Sequence, residues 1–442
     1  MFLICDHFEP RHGARDDSQP FERVRTWQKE YARFQERCKT DFGTAPLHTW
    51  FYPPHHGVEH LPQLAEMAFD GLGEVELHYH HDNDTAESLR ADLRAAIAEY
   101  GRWGLLLESG ETPRSAFGFV HGDWALGNSG GGRHCGVNDE VSILQELGCW
   151  GDFTMPSANE CQTRKINAIY YGVGRPDRPN GHDWGPDARV GAHSPDGLFM
   201  MQGPLAVNWR APGYPRIENG SLTSSNWGRA DRIPVWLNCN VHVRGRPDWL
   251  FVKLHTHGAI EQDFDALFGE RALQMHSMLN EQFNDGARYR LHYVTAREAH
   301  NIAKAAERGE QGDPGAWLDY GVGPPATRLY TVNARHRLLC CVSEHLALRE
   351  IETAPYVQLR TKVGPISAIS GPLRSVDIDN RTGVLAIATH DERDVTVEFL
   401  SCANPVLDVV GATLIERRRS GERASVRIRV KGECTLRYGN NL

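Results

Sequence analysis

Residues 61–103 read LPQLAEMAFDGLGEVELHYHHDNDTAESLRADLRAAIAEYGRW, and this stretch decides the fold. Leu61, Leu64 and Met67/Ala68 share one helical face. Gly71 and Gly73 stop that helix, and residues 74–78, Glu-Val-Glu-Leu-His, read as a strand. Asp84 or Thr85 caps the next helix, which runs to about Trp103 with Leu89, Leu93 and Ile97 inward. A helix, a short apolar strand and a helix in succession predict a parallel sheet covered by helices, open or closed into a barrel.

The alternation extends both ways. Residues 2–4 form an apolar run, and Val24, Trp27, Tyr31 and Phe34 mark one face of a helix over 21–37. Residues 116–120 read as a buried strand ending at His121, with a helix over 138–147 behind it. From 170 to 235 the chain is rich in Gly, Pro, Asn and Trp, with one strand-like run at 198–208. This reads as a long excursion over one face of the sheet, and long loops usually carry function. Strand 249–255, helix 263–284, strand 289–294 and a helix opened by the capping box Thr295-x-x-Glu298 complete the pattern. Residues 309–325 are rich in Gly and Pro, and beyond them the helical period disappears. The runs 357–363, 375–378, 384–389, 395–400, 425–430 and 435–438 are short, β-branched and separated by turn residues. The expected organisation is an α/β domain over 1–310 with its excursion at 170–235, a linker over 311–328, and a small antiparallel β-sandwich over 329–442.

Composition narrows the class. The chain has 442 residues, 40% hydrophobic and 24% charged, which supplies a core and excludes wholesale disorder. Lys and Arg number 48 against 57 Asp and Glu, a net charge of −9, so a general nucleic-acid binder or a polybasic membrane-surface protein is not expected. No apolar run approaches the roughly 18 residues that span a bilayer. The start, MFLICDHFEP, lacks the basic flank and long apolar core of a signal peptide. The 10 cysteines form no Cys-x-x-Cys pair, which predicts buried thiols in a reducing, cytoplasmic setting and disfavours a structural zinc built on cysteine.

Chemistry-bearing clusters stand where predicted strands end, and the carboxyl ends of strands are where α/β sheets bind ligands. They are Cys5-Asp6-His7-Phe8-Glu9, Glu76-Leu77-His78-Tyr79-His80-His81-Asp82, His121-Gly122-Asp123-Trp124 and Leu254-His255-Thr256-His257-Gly258. Alternate strand side chains share a face, so His78 and His80 point the same way. Imidazoles suit zinc, and a catalytic site needs about three protein ligands plus an open position. A carboxylate such as Asp6 beside the ion can act as general base. One His-x-His alone is more often structural; two of them, with a strand-terminal Asp-His, point to a metal site. His55 and His56 read as rim residues, and His134 and His182 as solvated loop residues. Trp184, Trp209, Trp227 and Trp236 could stack on sugar rings, though a single Trp is more often a packing residue.

The order of these clusters resembles the polysaccharide deacetylases of carbohydrate esterase family 4, the chitooligosaccharide-deacetylase homology group, in its divergent His-x-His subgroup. Asp6-His7 stands where that family has an Asp-Asp pair, and residues 74–80, Glu-Val-Glu-Leu-His-Tyr-His, resemble its second motif. Phe119-Val120-His121-Gly122-Asp123-Trp124 resembles Phe-Arg-Ala-Gly-x-Trp with His121 in the Arg place, and Leu254-His255 matches the closing Leu-His, with His257 two residues on. The resemblance covers about residues 1–305 and leaves out the β domain. It implies a distorted (β/α) barrel that removes N-acetyl or O-acetyl groups from a carbohydrate with metal-activated water. Asp6 would be the base and His255 or His257 the acid. One divalent ion, zinc, would sit on His7, His78 and His80, with Asp82 or His121 as a further ligand or support. Trp124 and Trp209 would meet the sugar. Other readings are an amidohydrolase-type enzyme on a non-sugar amide, a glycosidase using Glu76 and Asp152, and a metal-free carbohydrate-binding protein.

Overall fold

Short strands that are buried along nearly their whole length carry the first half of the chain, as expected of a sheet covered on both faces. The computed structural model describes residues 1–192, 196–400 and 406–439. The chain divides into two units. One comprises Met1–Gln63, Leu72–Ala96 and Ala116–Gly323; the other comprises Leu64–Gly71, Ile97–Ser115 and Pro324–Leu442. Among the described residues no helix is long and apolar enough to cross a membrane. The described cysteines are free thiols, most of them buried, and Cys402 lies outside the described residues.

The first unit holds an 8-stranded curled sheet in the order Val252–Thr256, Phe2–His7, His48–Tyr52, Gly73–Tyr79, Phe117–His121, Cys149–Asp152, Leu198–Met201, Ile169–Gly172. Neighbours run parallel except the last pair. The two edge strands are not paired with each other, so the sheet is a half-barrel rather than a closed one. Its last two strands come from 169–201, within the stretch expected to be a loop excursion. Ile169–Gly172 escapes a pattern reading because it is only four residues long and set among Gly and Pro, whereas Leu198–Met201 opens the strand-like run read at 198–208.

Helix Ala296–Arg308 fills one face of this sheet. Thr295 and Glu298 form the expected capping box. Ala296, Ala299, Ile302, Ala303 and Ala306 join one core with Leu3, Cys5, Phe51, Val120 and Phe153. Short alanine side chains let the helix lie close to the strands. Its start is pinned on them: Thr295 Oγ1 donates to Glu74 at 2.7 Å, and the Ala296 N–H to Thr49 Oγ1 at 2.8 Å. The segment expected to be a linker is instead part of this packing. Asn301 Nδ2 donates to the carbonyls of Leu318 and Val322 at 2.7 and 2.8 Å, and Trp317 and Leu318 rest on the core. Two further expectations change. Residues 289–294 make only an isolated bridge, Tyr293 to Phe2, and the helix expected over 263–284 breaks at Gly269 into Phe264–Phe268 and Glu270–Phe283.

The second unit is an antiparallel curled sheet of 10 strands. Its long hairpin, Val406–Ser420 with Arg423–Tyr438, makes the corner. Residues 423–430 pair with Arg393–Leu400, while 433–437 pair with Val384–Thr389. The register shifts between Val410 and Ala412. Gly411 sits there at φ +80°, where an added Cβ would meet the Glu433 carbonyl at 2.6 Å, so only glycine fits the bend. Side chains from both arms meet in one core, with Leu359, Ile369, Val397 and Ile428 against Leu348, Val376, Ile378 and Ile387. That is the sandwich-like arrangement the alternating runs predict.

Candidate functional site

Strand Gly73–Tyr79 delivers His78, and His80 just past its end, to the face that carries Cys5 and His7. His78 is buried, and its Nδ1 lies 2.8 Å from the Val120 carbonyl. A carbonyl can only accept, so Nδ1 carries the proton and Nε2 of the neutral ring is a bare lone pair. His80 Nδ1 faces Asp123 Oδ2 at 3.1 Å, a carboxylate that can hold the Nδ1 proton and leave Nε2 to a cation. The two Nε2 atoms stand 3.0 Å apart. Glu9 Oε1 completes the group, 3.1 Å from His80 Nε2 and 3.9 Å from His78 Nε2. Gly122 makes room for it, since a Cβ there would fall 2.4 Å from the His80 ring.

The electrostatics of the group favour a positive charge. Burial drives the His78 pKa down to about 3, so the ring is neutral. Burial raises Glu9, but the hydrogen bond and charge of His80 outweigh it and bring its pKa to about 2. His80 is shifted up, because Glu9 and Asp123 outweigh its own desolvation. Two imidazoles and a carboxylate, with their lone pairs facing inward, form a donor set that zinc takes.

Other rings surround this group. The His7 ring centroid is 4.9 Å from His78, 5.0 Å from His257 and 5.9 Å from His255. Trp124 lies 6.1 Å from His7 and 6.3 Å from His255. Burial pushes the pKa of both His7 and His255 well down. His257 Nε2 is 3.9 Å from Glu9 Oε2, and its side chain is 31% exposed, as His80 is 30% exposed, so solvent reaches the group here. Part of the excursion lies alongside: the Leu222 N–H donates to the His255 carbonyl at 2.7 Å, and the His255 N–H to Gly220 at 3.0 Å.

Several expected roles change. Asp6 alternates with Cys5 and His7 and therefore faces away from helix Ala296–Arg308, toward His48, which packs on Trp27 and Tyr31. There it is fully buried, with Oδ1 accepting from the Gly258 N–H at 2.6 Å and Oδ2 3.3 Å from His48 Nδ1. Asp82 accepts from the backbone of His134 and stays outside the group. His121 joins a different cluster on the other face, with His81, Cys135 and Glu140. Trp209 is 76% exposed and lines a shallow cavity with Asn167, Asp231 and Asn238, none of them near these histidines. His182 and His56 are buried rather than solvated. The pair considered for glycoside cleavage is spoken for: Glu76 accepts from the Gly118 N–H and Asp152 from Thr154, both buried. Glu9 stands in the first strand-end cluster of the sequence, but sequence reasoning gives it no ligand role. It stands two residues past strand Phe2–His7, where strand alternation no longer applies. A cavity of about 560 Å³ at the amino ends of the strands, lined by Met1, Phe2, Trp236 and Val252, holds no such group of donors.

No protein-family model matches the chain, and no curated protein matches it in sequence. Among solved structures it is similar to the catalytic module of a family 98 glycoside hydrolase from Streptococcus pneumoniae in complex with the LewisY pentasaccharide. That match has 7% identity and a TM-score of 0.22, covering 98% of this chain and 83% of that one. The native form of the same module gives 7% identity and a TM-score of 0.19, over 98% and 84%. A likeness this slight says nothing about the chemistry of this chain.

Proposed function

We propose that this chain is a metal-dependent hydrolase that removes N-acetyl or O-acetyl groups from a carbohydrate. The observation that carries the reading is the convergence of Glu9, His78 and His80 at the carboxyl end of a parallel sheet, with both Nε2 atoms turned toward the carboxylate and solvent able to reach them. These three residues would hold a divalent ion, with zinc the best fit to the donors. When bound, the ion supplies Lewis-acid polarisation of an acyl carbonyl and activation of water at neutral pH.

The chain's own residues do the rest. His257, part-exposed beside Glu9, is placed to move a proton to or from the departing amine or alcohol. His7 and His255, kept neutral by burial, wall the site without adding charge. Trp124 offers a ring face of the kind that packs on a sugar. Asp6 holds the Gly258 N–H and so fixes the loop that carries His257.

The test is acetate release by the zinc-loaded protein from N-acetylated and O-acetylated oligosaccharides, with metal content measured on the same samples. Acetate release that disappears in His78→Ala together with one ion supports the reading. A fully metal-loaded protein that releases no acetate from either class overturns it.

A further inference from the structure

On the face of the sheet opposite Glu9, His78 and His80, four further donors meet. His81 Nε2 lies 2.9 Å from His121 Nε2 and 3.1 Å from Glu140 Oε1, and His121 Nε2 lies 3.3 Å from the same oxygen. Cys135 Sγ is 3.6 Å from Glu140 Oε2. One ligand-type atom from each of the four falls within 4.8 Å of the others. We propose that His81, His121, Cys135 and Glu140 form a second metal centre, a closed structural zinc site.

The hydrogen bonds decide which atoms face inward. His121 Nδ1 donates to the Gly122 carbonyl, so its Nε2 is the bare nitrogen. His81 Nδ1 faces Asp84 Oδ2 at 2.9 Å, the carboxylate–imidazole pairing that orients a metal-binding histidine. Two imidazole nitrogens and a carboxylate oxygen within about hydrogen-bond reach of one another share a proton or a cation. A thiolate and a carboxylate with two neutral imidazoles sum to −2, which balances a divalent ion. Cys135 gives up its thiol proton to solvent as the ion binds.

Closure distinguishes this centre from the first. The side chains of His121 and Glu140 are 0% exposed and that of His81 3%, and Cys135 is fully buried. No position is left open for substrate, which is the mark of a structural zinc site. The ligands come from four separate places: the turn after strand Gly73–Tyr79, the end of Phe117–His121, the loop at 135, and the first residue of helix Glu140–Glu146. Between His121 and Cys135 the chain has only short 3-10 turns and many glycines. That loop carries Asp123 and Trp124, and the Gly127 N–H donates to Glu140 Oε2 at 2.7 Å. An ion here would pin the loop that supports His80. His182, buried with neither ring nitrogen hydrogen-bonded, packs over Gly127 and adds an imidazole beside the cluster.

Cobalt(II) loading of the full chain tests this without relying on activity. Only this centre has a thiolate, so the wild-type protein should show a near-ultraviolet thiolate-to-cobalt charge-transfer band. Cys135→Ser should lose the band and about one ion per chain, whereas His78→Ala should lose about one ion and keep the band. Cobalt-loaded wild type without a thiolate band overturns the proposal, as does Cys135→Ser with the full wild-type metal content. If Cys135→Ser fails to fold, the wild-type and His78→Ala spectra still decide. Loss of the first centre alone would leave the band in place, so the two metal assignments fail separately.

Discussion

The Nε2 atoms of His78 and His80 stand 3.0 Å apart while their Nδ1 atoms turn away, one to the Val120 carbonyl and the other to Asp123. The backbone fixes the tautomer of His78, and Asp123 orients the ring of His80. Asp123→Gly removes that carboxylate and suits the left-handed backbone of this position, φ +53°. Ion affinity at this centre should then fall by about 10–100-fold, measured by chelator competition. Unchanged affinity would mean that Asp123 does not set the orientation of His80.

Glu9 is expected to be a ligand rather than a support. Glu9→Gln keeps the shape but removes the negative oxygen 3.1 Å from His80 Nε2. It should release the same ion that His78→Ala releases, with a larger drop in affinity than the about 10–100-fold expected for Asp123→Gly. Elemental analysis after dialysis reads both variants. Retention of the ion in Glu9→Gln would leave Glu9 as a bystander.

The contrast between Glu9 and His78 shows what was legible in the sequence. His78 and His80 announce themselves by alternation at the end of an apolar run, and the strand–helix rhythm around them gives the parallel sheet. Glu9 lies past a strand end, in a turn, where no period operates. The cluster of His81, His121, Cys135 and Glu140 was hidden for another reason. Its first two members are 40 residues apart, and its cysteine has no Cys-x-x-Cys partner to flag it. The available signal was an adjacent pair, His80-His81, whose rings turn to different carboxylates, Glu9 and Glu140. The edge strand Ile169–Gly172 is too short and too enclosed by Gly and Pro to register as sheet, and Leu198–Met201 registers only as a strand-like run within the excursion.

Glu74 and Arg297 should matter for stability rather than chemistry. Arg297 Nη2 lies 2.9 Å from Glu74 Oε1 with both side chains buried, and the pair ties helix Ala296–Arg308 to the sheet. Removing one partner of a buried pair strands the other charge and costs about 3–5 kcal/mol. Glu74→Ala should therefore lower the urea midpoint markedly, and Glu74→Ala with Arg297→Met should recover part of the loss. A single variant as stable as wild type would show that water or Asp319 satisfies Arg297 unaided.

Asp152 makes stability depend on pH. Burial raises its pKa to about 7 despite hydrogen bonds from Thr154, against an unfolded value of about 3.9. Between these two values the folded chain binds more protons at this group than the unfolded one, so its contribution falls as pH rises. The penalty is absent below about pH 4, grows to about pH 7 and is then constant. Asp152→Asn carries no charge at any pH. Its stability relative to wild type should climb across that window by up to about 4 kcal/mol and level off above it. Urea midpoints across a pH series measure the slope, and a difference that ignores pH would remove Asp152 as the titrating group.

Asp6 separates a base from a clamp. A general base that loses its charge as Asn forfeits about 10²–10⁴-fold in rate. The structure places Asp6 on the face away from helix Ala296–Arg308, with Oδ1 taken by the Gly258 N–H and Oδ2 beside His48. An amide oxygen can still accept from Gly258, and an amide NH₂ can donate to His48 Nδ1. Asp6→Asn should therefore keep the fold, the ion and most of the acetate release. Asp6→Ala leaves the Gly258 N–H without its acceptor, a cost of about 1–3 kcal/mol that falls on the His257 loop. Its rate should drop well below that of Asp6→Asn while metal content stays the same. Acetate release and bound metal, measured together on both variants, decide between the roles. A loss of about 10²-fold or more in Asp6→Asn with the ion in place would return Asp6 to the role of base.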